Sequence, residues 1–224
     1  MKRLAVLISN AGTGTNLQAI IDAVKSNPTR SYRRTTSAVR TRLTERSRGA
    51  RKLKAEICVV ISSDKDAFGL TRAKNNKLKT EICSGKEKLL PLIKRYEPNF
   101  ICLAGWKQII SDEVIDAFSN RILNLHPGLI PDKLDGFVRN PDGSKGLWNK
   151  GMLTDGAITN FLNNNATYAG SSIHFLSDEF DFGKVLDRCF EKVRKNDDVE
   201  SLYKRLKERE NKMYVDVLIK LCNG

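Results

Sequence analysis

The stretch Arg121-Ile-Leu-Asn124-Leu-His126-Pro127-Gly128-Leu-Ile-Pro131 reads as an apolar β-strand that ends in two polar side chains one residue apart. In an extended backbone, residues i and i+2 point to the same side, so the amide of Asn124 and the imidazole of His126 lie next to each other. Pro127 stops ladder pairing and keeps His126 extended, and Gly128 and Pro131 mark a turn. The pair therefore sits at the carboxyl end of a strand, the edge at which open α/β sheets bind ligands. A strand that simply stops at a turn, with His126 a satisfied core or surface histidine, is the plainer alternative, and the rest of the chain has to decide between them.

Outward from this strand the chain alternates strand-like and helix-like stretches. Arg3–Ser9 is a short buried strand, Asn10-Ala-Gly-Thr-Gly-Thr15 a turn, and Asn16–Lys25 a helix with Leu17, Ile20, Ile21 and Val24 at helical spacing. Further strands are predicted at Ala55–Ile61, Thr80–Cys83, Phe100–Ala104, Tyr168–Leu176 and Val185–Val193. Helices are predicted at Ala67–Asn75, Lys86–Tyr96, Ser111–Phe118, Asp155–Asn163 and Asp198–Leu221. Alternating β and α implies an α/β fold with a mostly parallel sheet covered by helices on both faces. The polar stretch 132–150 is too rich in Gly, Asp, Asn and Lys for regular structure and reads as a lid, binding loop or insertion.

With 224 residues and 40% hydrophobic content, the chain fits one large domain with a sizeable core. No apolar run reaches the roughly 20 residues needed to span a bilayer. Met1-Lys-Arg-Leu leads straight into a strand with no cleavage-site pattern, so a cytoplasmic protein without a membrane partner is expected. The five cysteines, Cys58, Cys83, Cys102, Cys189 and Cys222, are dispersed and read as reduced core residues, neither a disulfide framework nor a metal site. The net charge of +13 is concentrated in residues 28–54, which hold ten Lys/Arg and one acid. That segment reads as a basic insertion, disordered or marginally helical.

Two further clusters bear on function. Gly12-Thr-Gly14-Thr15-Asn16 follows a strand and opens a helix, where free N–H groups and the helix dipole favour a phosphate. It lacks the third glycine of a dinucleotide fingerprint and the Lys of a P-loop, so a single phosphate ester fits better than NAD or ATP. A tight strand-to-helix turn capped by Thr15 or Asn16 is the structural alternative. Ser177-Asp178-Glu-Phe180-Asp181-Phe-Gly183 is an acidic loop between two predicted strands, a commonplace feature when taken alone.

Taken together these residues carry a resemblance. Gly14-Thr-Asn-Leu-Gln-Ala-Ile20, Asp66-Ala-Phe-Gly-Leu-Thr-Arg-Ala73, Leu103-Ala-Gly-Trp106, Leu123-Asn-Leu-His-Pro-Gly-Leu-Ile-Pro131, Gly170 through Gly183, and Glu210 with Tyr214 resemble the phosphoribosylglycinamide formyltransferase family nearly end to end. The resemblance implies one Rossmann-like domain over residues 1–224, with an antiparallel C-terminal extension to its mostly parallel sheet. It implies transfer of a formyl group from 10-formyltetrahydrofolate, as co-substrate and without a metal, to the amine of 5'-phosphoribosylglycinamide in purine biosynthesis. Small molecules would be its partners, and the chain a monomer or homodimer. His126 would be the acid/base, Asn124 the donor to the developing oxyanion, and Asp181 the carboxylate supporting His126, with His174 in a supporting position. Gly14, Thr15 and Asn16 would grip the phosphate, and Lys207 and Glu210 would meet the ribose and phosphate end. The folate would contact Lys86, Lys107, Gln108, Ile109, Ile110, Asn124, Ser177, Asp178, Phe180 and Asp181, Lys86 being only an approximate counterpart.

Several positions depart from the family pattern. The phosphate loop is two residues longer, Gln108 and Trp106 replace other residue types, the 132–150 stretch is longer and lacks a histidine, and the basic 28–54 segment is additional. Two alternatives belong to other classes: formylation of methionyl-tRNA through the basic insertion, and a non-catalytic polyanion-binding protein acting through residues 28–54. The first normally needs a further C-terminal domain, and the second would not require Asn124, His126 and Asp181 together.

Overall fold

The computed structural model describes residues 1–10, 14–25 and 52–224. In chain order its elements are β1 (Lys2–Ile8), α1 (Thr15–Lys25), β2 (Ala55–Ser62), α2 (Phe68–Asn75), β3 (Thr80–Ile82), α3 (Lys86–Tyr96) and β4 (Phe100–Leu103). There follow α4 (Asp112–Ala117), β5 (Ile122–His126), α5 (Thr154–Asn163), β6 (Tyr168–Phe175), β7 (Val185–Lys192) and α6 (Val199–Asn223). Every predicted element is present, with ends displaced by at most two residues.

Among the described residues the strands form one sheet in the order β3-β2-β1-β4-β5-β6-β7. The pairings β1–β2, β1–β4, β2–β3 and β4–β5 are parallel, whereas β5–β6 and β6–β7 are antiparallel. The alternation along β1 shows why helices cover both faces. Leu4, Val6 and Ile8 enter one apolar cluster with Leu17, Ile20 and Ile21 of α1, Leu70 of α2 and Met213, Val217 and Leu218 of α6. Ala5 and Leu7 enter a second with Leu89, Leu92 and Ile93 of α3 and Val114 of α4. Burying one such Leu or Ile is worth roughly 1.5–3 kcal/mol, so a strand apolar on both faces fixes itself at the sheet centre.

α6 begins with a capping box, Asp198 accepting from Ser201 N while Ser201 Oγ accepts from Asp198 N. Midway along it the buried Tyr214 hydroxyl lies 3.3 Å from the carbonyls of both Leu103 and Leu123, tying the helix to β4 and β5 near the sheet's carboxyl edge.

Of the basic segment at about 28–54, residues 28–51 lie outside the described residues, while 52–54 pack on the folded body. Leu53 is 1% exposed, Lys54 N donates to Asn223 Oδ1 at 2.9 Å, and Asn223 Nδ2 donates to Lys52 O at 2.7 Å. The charge of this stretch concealed a core residue. Among the described residues no helix is long and apolar enough to cross a membrane.

Candidate active site

β1 is flanked by β2 and β4, so the chain reverses direction across the sheet there, and a crevice opens beyond the strands' carboxyl ends. A cleft of about 360 Å³ occupies this place, lined by Ser9 and Asn10 after β1, Ser63 and Asp64 after β2, and Lys107 and Gln108 after β4. Ser9 Oγ is 2.7 Å from Ser63 Oγ and accepts from Lys107 N at 3.0 Å, joining the three strand ends.

One strand further on, β5 delivers Asn124 and His126. Asn124 pairs with His174 across the antiparallel β5–β6 ladder, and His126 with Ser172. The turn after His126 is fastened to β6 through Ser172 Oγ, which donates to Gly128 O at 2.7 Å and accepts from Ile130 N at 3.0 Å. Asn124 Nδ2 is 3.1 Å from His174 Nε2, and His174 Nδ1 is 3.1 Å from the Phe175 carbonyl. A carbonyl only accepts, so His174 carries its hydrogen on Nδ1 and accepts from Asn124 through Nε2. Burial, reinforced by the charge of His126, pushes the His174 pKa down to about 4. A neutral acceptor therefore orients the Asn124 amide and leaves its second N–H for another partner.

His126 is 2% exposed. Its Nδ1 stands 3.6 Å from Asp181 Oδ1, beyond direct hydrogen bonding but within strong electrostatic reach, and its Nε2 is 2.7 Å from the Trp148 carbonyl. Burial raises the Asp181 pKa, but the nearby His126 ring and the Gly151 N–H outweigh it and hold the carboxyl below its usual value. Asp181 adopts φ +51°, an uncommon conformation for a residue with a side chain.

The 132–150 stretch supplies what lies against this pair. After a turn closed by an Arg139–Lys145 bridge it returns to the sheet edge, where Gly128 admits it: a Cβ on Gly128 would stand 1.7 Å from Trp148 O. Asn149 Nδ2 donates to Pro127 O at 2.9 Å, and Gly151 N donates to Asp181 Oδ2 at 2.7 Å. The composition of the segment predicts no regular structure. It has no helix or named strand, yet it holds residues that touch His126 and Asp181.

The other anticipated residues fall in several places. Gly14, Thr15 and Asn16 open α1; Asn16 is 5% exposed, and among the described residues Thr15 Oγ1 and Asn16 Oδ1 are buried without hydrogen-bond partners. Glu210 is 2% exposed, accepts from Ser171 Oγ at 2.6 Å, and pairs with Lys207 Nζ at 3.1 Å. Burial lowers the Lys207 pKa, but Glu210 more than compensates and raises it.

Lys107 and Gln108 line the cleft, and Ile109 and Phe180 are exposed at 66% and 59%. Ile110 does not present its side chain with them, because that side chain packs in the core beside Val114. Ser177 Oγ donates to Phe182 O at 3.1 Å and Asp178 accepts from Glu179 N at 3.1 Å, both shaping the acidic loop from within. Lys86 is exposed at the start of α3, following the outermost strand, and is not part of the cleft lining. Trp148 and Gly151 are not among the anticipated site residues; the signal that could have found Trp148 is Gly146-Leu-Trp148, the nearest match in this stretch to the family's loop. Among the described residues no three His, Cys, Asp or Glu side chains gather as a metal-binding group.

An open, mostly parallel α/β sheet with a cleft at its switch point, and an amide, an imidazole and a carboxylate gathered one strand away, defines a ligand-binding protein equipped for acid/base chemistry. The formyl transferase family profile matches residues 2–218, and the chain belongs to that family. It is 29% identical over 230 residues to phosphoribosylglycinamide formyltransferase of Escherichia coli K12, covering 99% of this chain and 87% of that protein. The chloroplastic phosphoribosylglycinamide formyltransferase of Arabidopsis thaliana is 32% identical over 177 residues, or 75% of this chain; the alignment spans 56% of the plant protein's length. Glycinamide ribonucleotide transformylase 1 from Symbiobacterium toebii superposes with a TM-score of 0.74 at 27% identity, covering 100% of this chain and 89% of that one.

Proposed function

We propose that this protein transfers the formyl group of 10-formyltetrahydrofolate to the amine of 5'-phosphoribosylglycinamide. The observation that carries the reading is the meeting of Asn124, His126 and Asp181, contributed by one strand end and a loop more than fifty residues away. The names of the relatives supply the substrates, and the chemistry of the three side chains suits them. An amine attacking a formyl carbon makes it tetrahedral and places negative charge on its oxygen. The second Asn124 N–H is a fitting donor to that oxygen, its amide already oriented by His174. The proton lost by the attacking nitrogen has to reach the leaving nitrogen, which is the task of His126 beside an ionised Asp181.

The substrate contacts belong to the same proposal. The polar atoms of Thr15 and Asn16 at the start of α1, without partners among the described residues, suit the ribonucleotide phosphate, where the helix dipole favours an anion. Glu210 and Lys207 would meet the ribose and phosphate end. Lys107 and Gln108 in the cleft, the backbone of Ile109 and Ile110, and the loop from Ser177 through Asp178 and Phe180 to Asp181 would bind the folate. The exposed Ile109 and Phe180 side chains offer apolar surface for its rings. A cytoplasmic location goes with this reading.

The test is a steady-state assay with a 10-formyl folate as donor and either glycinamide ribonucleotide or methionyl-tRNA as acceptor. Turnover of the ribonucleotide is expected. Formylation of tRNA alone would replace this reading by the nucleic-acid one, and binding of polyanions without turnover of either acceptor would favour the non-catalytic alternative.

A further inference from the structure

We propose that the segment Trp148–Gly151 is the positioning element of the reaction. In this role the Trp148 carbonyl assigns His126 its Nε2–H tautomer, so that Nδ1, turned toward Asp181, is the nitrogen that exchanges the proton. This rests on the formyl-transfer reading for its chemistry but on geometry alone for the tautomer.

The Trp148 oxygen lies 2.7 Å from His126 Nε2. Because a carbonyl cannot donate, the hydrogen is on nitrogen, and Nε2 is spent on a fixed partner. The remaining nitrogen faces Asp181 Oδ1 across 3.6 Å, a gap wide enough to leave its lone pair to an incoming group. The same segment fixes the carboxylate. Gly151 N donates to Asp181 Oδ2 at 2.7 Å, which leaves Oδ1 facing the ring, and Trp148 Nε1 donates to the Asp181 carbonyl at 3.1 Å.

Those two bonds hold Asp181 in its left-handed conformation, which a non-glycine residue adopts at a cost. Gly151 itself sits at φ +78°, where glycine is the natural occupant. Lys150 pairs with Glu179 at 2.8 Å, and the Trp148 and Phe182 rings stand 5.9 Å apart, fastening the two loops on either side of the catalytic contact. One short segment thus presents an acceptor to the imidazole and a donor to the carboxylate, a division of labour that orients both.

The chain has two histidines, which makes the wild-type protein its own experiment. Long-range ¹H–¹⁵N correlation spectra of the imidazoles, taken where the rings are neutral, should show His126 protonated on Nε2 and His174 on Nδ1, two opposite tautomers in one spectrum. His126 protonated on Nδ1 would overturn the proposal. This readout is independent of turnover, so a protein with the expected tautomers and no formyl transfer would remove the functional reading and leave the geometry standing.

Trp148→Phe keeps the carbonyl and an aromatic ring but deletes the donor to Asp181. It should lower kcat roughly 10- to 100-fold, as small misplacements of catalytic groups do, with KM for both substrates unchanged. It should also displace the pH profile of kcat, which reflects His126 together with its titratable neighbours Asp181 and His174 and the flanking Lys150–Glu179 pair. A variant that is merely less stable, with wild-type kcat and pH profile, would refute the positioning role.

Discussion

Asn124 and His174 stand directly opposite each other on the antiparallel strands β5 and β6, with Nδ2 of the one 3.1 Å from Nε2 of the other. The contact orients an amide whose two ends are otherwise alike in size. Asn124→Ala removes the proposed donor to the oxyanion, and turnover should fall about 100-fold or more with little change in ribonucleotide binding. Asn124→Asp should be no better, because an ionised carboxylate has no hydrogen to give. Single-turnover rates beside equilibrium binding of the ribonucleotide separate the two effects, and a loss confined to binding would remove Asn124 from the chemistry.

His174 also makes stability depend on pH. Its folded-state pKa is about 4, below the ordinary 6.5, because burial disfavours the charged ring. A base with a depressed pKa contributes stability that is fully present above the unfolded value and is lost as pH falls. The loss should run from about pH 6.5 to about pH 4 and reach roughly 3 kcal/mol, at about 1.4 kcal/mol per pH unit. Urea unfolding across this range, for the wild type and for His174→Gln, measures it. The variant should show a flatter dependence above pH 4, and equal slopes would contradict the assignment.

His126→Ala and Asp181→Ala should each lower kcat by about 100- to 10,000-fold, the usual share of positioned acid/base groups, while leaving ribonucleotide binding nearly intact. Near-wild-type turnover of His126→Ala would exclude the role given to it. Thr15→Ala and Asn16→Ala should act differently, raising KM for the ribonucleotide more than for the folate. Equal effects on both would undo the phosphate assignment.

Much of this site was legible because its parts are local. Pro127 ends β5 at His126, so the strand terminus and its two polar residues follow from four consecutive side chains. The same holds for α6, whose Leu202, Leu206, Met213, Val217 and Leu218 recur at helical spacing and are all buried. What escaped notice is set by contacts between distant loops. Trp148 meets His126 through a backbone carbonyl, which carries no residue-type signal, and Gly151 meets Asp181 through a backbone N–H. Leu53 was hidden for a different reason, since a lone apolar residue between Lys52 and Lys54 gives no periodicity to read. The role proposed for Glu210 rests on resemblance alone, because a charged residue on a helix ordinarily faces solvent, whereas this one is buried against Ser171.

That burial makes Glu210 a test of binding and stability together. Glu210→Ala leaves the Ser171 hydroxyl and the Lys207 ammonium without their partner, a loss of about 1–3 kcal/mol for a buried polar group. Glu210→Gln keeps an acceptor for Ser171 and should recover part of that stability, yet it should still bind the ribonucleotide more weakly than wild type. Full recovery of both stability and KM by Gln would show that the charge of Glu210 does not serve the substrate.

α1 ends at Lys25, and the chain is anchored again where Lys52 O and Lys54 N meet Asn223 and where Lys2 N donates to Lys54 O at 3.3 Å. A replacement of residues 28–51 by a short flexible linker therefore has to keep Lys52–Lys54, because cutting at Ala55 would remove the buried Leu53. Each halving of a flexible loop changes closure by only about 0.6 kcal/mol, so the unfolding midpoint should barely move. Formyl transfer should persist, since Asn124, His126, Asp181 and their supports all lie beyond this segment. Retention on immobilised RNA should fall, and the part lost should be the steeply salt-dependent part, each neutralised phosphate contributing roughly −0.7 to −0.9 to the log–log slope. A deletion variant that folds with its normal midpoint but no longer formylates the ribonucleotide would place an arginine of the segment on a substrate anion, and single Arg→Ala substitutions between Arg30 and Arg51, read as KM for each substrate, would then identify which.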